Sequence, residues 1–216
     1  MKKLVIFDLD GTLINTIEDL AAACDEVLKR NGLPTYSVAE YQEFVGSGIM
    51  RLVERALPEE KRTEEFVAKI RAEFVEYYFE NIDKKTKVYR GIESLLRELQ
   101  EREVAIAVAS NKFQEGTRKL VASFFPDIRF EAVLGQRPNV PLKPHPSIIR
   151  EIIQITSYAP DKILYVGDSG IDMQTAKAAG VESVGVSWGF RPVKELEENG
   201  ADHIIDNPND ILSIIE

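Results

Sequence analysis

Short apolar runs alternate with longer amphipathic segments through most of the chain. The runs are almost continuously apolar, which is typical of strands that are covered on both faces. They lie at residues 4–7, 104–109, 132–134, 163–166 and 183–186, with a weaker run at 203–205. The intervening patterns predict helices at residues 92–101, 114–123, 147–154 and 172–179. This alternation predicts an α/β fold, a Rossmann-like parallel sheet with helices on both faces.

Residues 15–85 break this alternation, because only helical patterns occur there. One helical face carries Ile17, Leu20, Ala21, Cys24, Val27 and Leu28. Thr16 followed by Asp19 resembles a capping box, and Asn31-Gly32 is a plausible stop. Further helical patterns lie at residues 50–57 and 64–79. We therefore predict an α/β core of residues 1–14 and 86–216, with a small all-helical cap domain of residues 15–85.

Composition and net charge make some classes of binding partner unfavourable. The chain has 216 residues and a formal net charge of −9, so it is expected to repel nucleic acid and anionic membranes. No stretch approaches the roughly 20 apolar residues that a membrane span needs. The apolar run after Lys3 is too short for a signal peptide, because Asp8 ends it. Cys24 is the single cysteine, so no internal disulfide can form. These features lead us to expect a cytoplasmic protein.

Two carboxylates stand directly after the first predicted strand. Asp8 and Asp10 are two residues apart, and Gly11 follows them and permits a tight turn. Ligands of parallel sheets bind outside the carboxyl ends of the strands. A lone acid at this place would be interpreted as ending the strand and capping the next element. The whole string Asp8-Leu9-Asp10-Gly11-Thr12 favours a reactive site instead.

Three further motifs follow in the chain. They are Ser110-Asn111-Lys112, Lys143-Pro144-His145-Pro146 and Gly167-Asp168-Ser169-Gly170-Ile171-Asp172. Each motif alone is a modest signal, but their joint order and their places at strand ends are a strong one. Together with the string at Asp8, they make the whole chain resemble the haloacid dehalogenase superfamily. Within it, the chain is similar to the phosphoglycolate-phosphatase-like hydrolases that carry a helical cap after the first strand.

The resemblance implies a phosphatase, an enzyme that hydrolyses phosphoric monoesters of small molecules. Asp8 would be the nucleophile and form an aspartyl phosphate, Asp10 the acid and base, and Lys143 the counter-charge. The implied cofactor is Mg²⁺, because an anionic nucleophile and an anionic ester repel each other. Its implied ligands are the Asp8 carboxylate, the Asp10 carbonyl and Asp168, with Asp172 orienting a bound water or helping to ligate. Crowding by neighbouring carboxylates is expected to keep Asp10 protonated for the first step.

Substrate contacts are implied at weaker positions. Ser110, before a helix, would hold a phosphate oxygen with help from Asn111 and from the Thr12 backbone amide. The cap would set specificity, with the glycine-rich loop at Gly46 facing the substrate. Arg51 and Lys112 are candidates for a substrate carboxylate. Phosphoglycolate is the leading substrate, although pyrophosphate, nucleoside monophosphates and sugar phosphates stay open.

Other functions fit part of the pattern. A sugar-phosphate mutase of the β-phosphoglucomutase type shares the cap and both acids, and a phosphonatase also stays open. A dehalogenase is disfavoured, because such enzymes lack the second acid and Asp10 is present. From a different class, a non-enzymatic receiver-like module also phosphorylates an aspartate, but it has no use for the helical insert. A silent binding protein would not need Asp8, Asp10, Lys143 and Asp168 together. The sequence leaves open the oligomeric state and the effect of Asn15, where many relatives carry aspartate.

Overall fold

A computed structural model describes residues 1–216. The chain divides into two compact units. One consists of Met1–Asn15 with Val88–Glu216, and the other is the continuous segment Thr16–Lys87. None of the helices combines the length and the apolar character that a bilayer crossing requires.

The first unit contains a parallel sheet of six strands. Its strands are β1 (Leu4–Phe7), β4 (Ala105–Phe113), β5 (Ala132–Gln136), β6 (Ile163–Gly167), β7 (Glu182–Val186) and β8 (His203–Ile205). Their order across the sheet is β5-β4-β1-β6-β7-β8, so β1 lies in the interior with β4 and β6 as parallel neighbours. The predicted parallel α/β sheet is confirmed. Two further short strands, β2 (Ile14–Asn15) and β3 (Lys87–Val88), pair with each other.

Helices cover both faces of this sheet, as predicted. Successive side chains of a strand point to opposite faces, and all four residues of β1 are fully buried. One face, with Leu4 and Ile6, packs against Ile149 and Ile152 of a helix. The helices of this unit are α5 (Ile92–Glu101), α6 (Gln114–Phe124), α7 (Ser147–Thr156), α8 (Gly170–Ala179), α9 (Val193–Glu198) and α10 (Ile211–Ile214).

One predicted boundary is wrong in a way that matters for the site. The sequence places Ser110-Asn111-Lys112 between a strand and a helix, but β4 continues through these residues to Phe113. Its register against β5 shifts between Ala109 and Phe113, so a bulge interrupts the pairing without ending the strand. Helix α6 begins only at Gln114. The three residues therefore belong to a strand end and not to a helix N-terminus.

The second unit contains four helices, α1 (Ile17–Arg30), α2 (Val38–Phe44), α3 (Gly48–Ala56) and α4 (Glu64–Asn81). Helix α1 ends just before Asn31-Gly32, at the predicted stop. Its predicted capping box is wrong, because the Thr16 side chain makes no capping hydrogen bond. The Asp19 carboxylate instead accepts hydrogen bonds from the backbone N–H groups of Lys85 and Thr86 and from the Thr86 hydroxyl, at 2.8–3.0 Å.

Candidate active site

The loop after β1 is a tight turn that presents two carboxylates. The backbone N–H of Asp8 still donates to Val166 at 2.8 Å, so the first acid is anchored at the sheet edge. The carbonyl of Leu9 then accepts from the next turn, including the N–H groups of Thr12 at 3.3 Å and Leu13 at 3.0 Å. Gly11 has φ of 84°, a left-handed conformation that favours glycine. A Cβ on Gly11 would also overlap the carboxylate of Asp168.

Lys143 lies at the centre of a buried polar network. Its ammonium is 3.0 Å from Asp8 Oδ1 and 2.7 Å from Asp172 Oδ1. It also donates to the Tyr165 hydroxyl at 3.0 Å and to the carbonyl of Ala109 at 3.1 Å. Burial lowers the pKa of Lys143, but the charges of Asp172 and Asp8 outweigh burial and hold that pKa well above its usual value. Lys143 is therefore a fixed positive charge against Asp8.

Asp172 has all its acceptor capacity taken up by the protein. Besides Lys143, its Oδ1 accepts from the Tyr165 hydroxyl at 2.9 Å. Its Oδ2 accepts from the backbone N–H and the hydroxyl of Ser169, in a capping box at the start of α8. The side chain is fully buried. Asp172 thus caps a helix and orients Lys143 at the same time.

Asp168 is held in a slot between two glycines. Its Oδ2 accepts from the backbone N–H of Phe190 at 2.7 Å, while its Oδ1 has a long contact of 3.4 Å with the Thr12 hydroxyl. A Cβ on Gly189, like one on Gly11, would overlap the Asp168 side chain. The loop after β7 therefore fixes the orientation of this carboxylate.

Three buried carboxylates share one ammonium at this site. Ligand oxygens of Asp8, Asp168 and Asp172 all lie within 4.8 Å of one another. Burial, only partly offset by Lys143, raises the pKa of Asp8 to about 7. Burial and the charges of Asp172 and Asp8 also raise the pKa of Asp168 well above its usual value. A divalent cation would relieve this excess of negative charge, so the residues fit a metal.

Of the three acids, Asp8 and Asp168 each keep one carboxylate oxygen that the protein leaves available. Both contacts to Asp8, from the N–H of Leu9 at 2.7 Å and from Lys143, fall on Oδ1, which leaves Oδ2 without a protein hydrogen bond. Asp168 keeps Oδ1 nearly free in the same way, whereas both oxygens of Asp172 accept two donors. Magnesium prefers carboxylate and carbonyl oxygens of this kind.

Asp10 lies beside a buried lysine at the end of β4. Its Oδ1 is 3.0 Å from the ammonium of Lys112, whose side chain is 4% exposed. The charge of Asp10 is also one of the causes that raise the pKa of Asp8. Lys112 reaches Asp10 because the bulged end of β4 lies beside the end of β1.

The residues predicted to hold phosphate, namely Thr12, Ser110 and Asn111, already make hydrogen bonds within the protein. The Asn111 amide donates to the Lys143 carbonyl at 3.2 Å and accepts from the Lys143 N–H at 2.8 Å, so it positions that lysine. The hydroxyl of Ser110 accepts from the N–H of Lys112 at 3.1 Å and keeps its own proton available. The Thr12 N–H donates to the Leu9 carbonyl within the turn after β1. The Thr12 carbonyl accepts from the Trp188 indole N–H at 3.1 Å.

The two remaining candidates, Gly46 and Arg51, belong to the segment Thr16–Lys87. Gly46 follows α2 with φ of 102°, as a glycine in a tight turn. Arg51 lies on α3, and its guanidinium donates to the Glu54 carboxylate at 2.7 Å.

Sequence reasoning missed Tyr165 and the loop after β7. Tyr165 occurs inside an apolar strand and so looks like a core aromatic, and nothing in the pattern shows that its hydroxyl reaches Lys143 and Asp172. The string Trp188-Gly189-Phe190 offered only a weak signal, a glycine between two aromatics after a strand. Its contribution is mostly through the backbone, which leaves little trace in side-chain chemistry.

Comparison with known proteins finds a matching family and similar proteins that align over almost the whole chain. The family described as haloacid dehalogenase-like hydrolase matches residues 5–186. A phosphoglycolate phosphatase of Haemophilus influenzae is 31% identical over 99% of this chain and 98% of its own length. One of Aquifex aeolicus is 30% identical over 99% and 97%. A crystal structure of a Lactobacillus delbrueckii protein has a TM-score of 0.93 at 32% identity, covering 100% of this chain and 99% of that one.

Proposed function

Because the chain belongs to the haloacid dehalogenase-like hydrolase family, we propose that it is a magnesium-dependent phosphatase of small phosphomonoesters, with Asp8 as nucleophile. The observation that carries the proposal is the state of Asp8. One carboxylate oxygen is fixed by Leu9 and Lys143, and the other has no protein hydrogen bond. A nucleophile must be oriented while its attacking atom stays accessible, and Asp8 meets both requirements.

The chain would hold Mg²⁺ through the Asp168 carboxylate, the backbone carbonyl of Asp10 and the Asp8 oxygen that Lys143 contacts, which leaves the other Asp8 oxygen for the attack. When bound, the ion supplies positive charge to the transferring phosphoryl group and orients its oxygens. Asp172 would not act as a ligand, because both of its oxygens already accept two hydrogen bonds each. Its role is to orient Lys143. Gly189 and Phe190 support the site by fixing Asp168.

The reaction needs two displacements at phosphorus. In the first, an oxygen of Asp8 forms a bond to phosphorus as the bond to the ester oxygen breaks, and Asp10 donates its proton to the departing alcohol. In the second, Asp10 takes a proton from a water whose oxygen attacks the aspartyl phosphate. This step releases inorganic phosphate and restores both acids. Lys143 stays charged throughout and opposes the negative charge of Asp8.

Phosphoglycolate is the substrate that the named relatives support best. The Haemophilus influenzae and Aquifex aeolicus relatives both carry that activity in their names and match almost the whole chain. We further propose that the helical unit Thr16–Lys87 selects among esters, since it contains none of the strand-end motifs. Gly46 and Arg51 keep their predicted roles as substrate contacts within that proposal.

A phosphate-release assay over a panel of esters tests this function. We expect release from 2-phosphoglycolate with Mg²⁺ and at least about 100-fold less after chelation, because removal of the ion leaves the anionic partners unshielded. Sugar phosphates and nucleoside monophosphates complete the panel. Absence of phosphate release from every ester in the presence of Mg²⁺ would overturn the proposal. Isomerisation of a sugar phosphate without phosphate release would favour a mutase instead.

A further inference from the structure

Tyr165 places a phenol hydroxyl inside an otherwise apolar strand. It lies in the middle of β6, paired with Ile6 of β1, and its side chain is completely buried. The ring belongs to the same apolar cluster as Ile149 and Ile152. A phenylalanine would supply the same ring to that cluster. Since burying a hydroxyl costs free energy unless it is hydrogen-bonded, the partners of this hydroxyl indicate what it does.

The Tyr165 hydroxyl lies between two charged groups of the buried polar network. It accepts from the Lys143 ammonium at 3.0 Å and donates to Asp172 Oδ1 at 2.9 Å. The same ammonium reaches that Asp172 oxygen directly at 2.7 Å. The three atoms therefore form a closed triangle. Burial and the charge of Asp172 hold the pKa of Tyr165 well above its usual value, so the phenol keeps its proton and remains a donor.

The Lys143 ammonium is held at three points that do not depend on Asp8. These are the Ala109 carbonyl on β4 at 3.1 Å, the Tyr165 hydroxyl on β6 at 3.0 Å and the Asp172 carboxylate on α8 at 2.7 Å. Asp8 Oδ1, at 3.0 Å, is the fourth oxygen around it. The positive charge is therefore in place before the nucleophile reacts, which is what electrostatic preorganisation requires.

We propose that Tyr165 is a positioning residue, whose hydroxyl keeps the Lys143 ammonium against Asp8 throughout the reaction instead of letting it pair with Asp172 alone. This inference rests on the proposed function, in which Asp8 loses its negative charge when it forms the aspartyl phosphate. Asp172 is then the stronger attraction for the ammonium. The Tyr165 hydroxyl opposes that shift, because it gives the Asp172 oxygen a second donor and the ammonium another fixed partner. Tyr165 is completely buried, so it acts through Lys143 and not on the substrate.

Tyr165→Phe tests this inference, because it removes the hydroxyl and keeps the ring. We expect kcat for phosphate release from the fastest ester of the panel to fall by about 10- to 100-fold, the usual effect of one hydrogen bond to a charged group. KM should change by less than about threefold, because Tyr165 does not bind the ester. Tyr41→Phe is the matched control and should leave kcat unchanged. Tyr41 is also completely buried, and its hydroxyl donates to a carboxylate, that of Asp25, in the helical unit.

A double-mutant cycle shows whether Tyr165 acts through Lys143. Lys143→Arg replaces the compact ammonium by a planar guanidinium, which does not fit the same four oxygens. Adding Tyr165→Phe to Lys143→Arg should therefore lower kcat by less than about threefold further. If the two losses instead multiply in full, Tyr165 acts independently of Lys143 and the inference is overturned.

The remaining outcomes separate this inference from the function on which it rests. If Tyr165→Phe keeps the wild-type kcat, the hydroxyl has no positioning role. If the variant unfolds, or loses kcat only in proportion to its folded fraction in a thermal melt, the hydroxyl is structural and the inference is equally overturned. If the wild-type protein releases phosphate from no ester, the proposed function itself fails, and that result is known before any variant is compared.

Discussion

The strand-end cluster and the helical unit treat buried charge in opposite ways. At the strand ends five charged side chains are buried, namely Asp8, Lys112, Lys143, Asp168 and Asp172, and burial raises the pKa of two of these acids. In the helical unit the only buried charged residue is Asp19, which three backbone or hydroxyl donors satisfy locally. The first region holds carboxylates whose ionised forms are disfavoured by burial. The second uses polar groups to stabilise its own structure.

This difference in buried charge indicates which region of the molecule is reactive. Perturbed carboxylates gathered at one place are characteristic of functional sites, whereas satisfied polar groups are characteristic of structure. Changes in the strand-end cluster should therefore alter chemistry far more than stability. Loss of a hydrogen bond inside the helical unit should do the reverse.

The largest expected effect comes from Asp8→Asn, which keeps the shape and removes the nucleophile. We expect kcat to fall by about 10⁴-fold or more. We also expect the metal-free variant to melt at a higher temperature than the metal-free wild type. The reason is that burial raises the pKa of Asp8 to about 7, so its ionised form weakens the fold at neutral and higher pH. Calorimetry at pH 8 with chelator measures this difference, and a lower melting temperature would contradict the account of the cluster.

The next effect concerns metal affinity. Gly189→Ala places a methyl group against Asp168. We expect it to weaken the binding of Mn²⁺, a spectroscopic probe, by roughly 10- to 100-fold. That is the usual range for residues that support a metal ligand. Paramagnetic resonance of free Mn²⁺ measures the affinity directly. Gly200→Ala is the matched control, because Gly200 has φ of 79° but open space around it. Equal losses of affinity in the two variants would show that Gly189 has no special relation to Asp168.

A smaller effect is expected in the helical unit. Tyr41→Phe removes a hydroxyl that donates to Asp25 at 2.6 Å inside a cluster with Tyr36 and Phe44. The free energy of unfolding should fall by about 1 kcal/mol, the usual value of one hydrogen bond, with kcat unchanged. Urea unfolding and phosphate release measure the two quantities. A tenfold loss of kcat at full stability would contradict the contrast between the two regions.

The smallest effect concerns the start of α2. Its capping box holds the Glu40 carboxylate against the Ser37 N–H and hydroxyl, and these hydrogen bonds lower the pKa of Glu40 below 4.5. A carboxylate whose pKa is lowered by folding stabilises the fold at every pH above its ordinary pKa. This stabilisation is lost as the pH falls through the lowered pKa. Glu40→Gln should therefore be slightly less stable than wild type at pH 7. At pH 2.5 the difference should largely disappear, and a difference that grows with acidity would contradict the cap.

The fold was readable from the sequence because its signals are local. Apolar runs such as 4–7 mark buried strands whatever their neighbours are, and the pattern at 92–101 gave a helix with its observed ends. The end of β4 was misplaced because polar Ser110 and Asn111 resemble a loop. The Lys143 backbone, 32 residues away, donates to and accepts from the Asn111 amide.

The candidate site was readable as a set of residues but not as a network. Asp8, Lys143 and Asp168 could be identified because each stands in a motif near a strand end. The pairing of Asp10 with Lys112 could not, because it depends on the bulge in β4. The double role of Asp172, as helix cap and as partner of Lys143, also depends on a distance that the sequence does not contain.

Rapid acid quenching of the working enzyme tests the central claim most directly. The protein is mixed with Mg²⁺ and ³²P-labelled phosphoglycolate, stopped within milliseconds, digested and mapped by mass spectrometry. The account predicts an acid-stable, hydroxylamine-sensitive label on the peptide that contains Asp8, with no label in Asp8→Asn. A label on another residue, or normal turnover by Asp8→Asn, would contradict it.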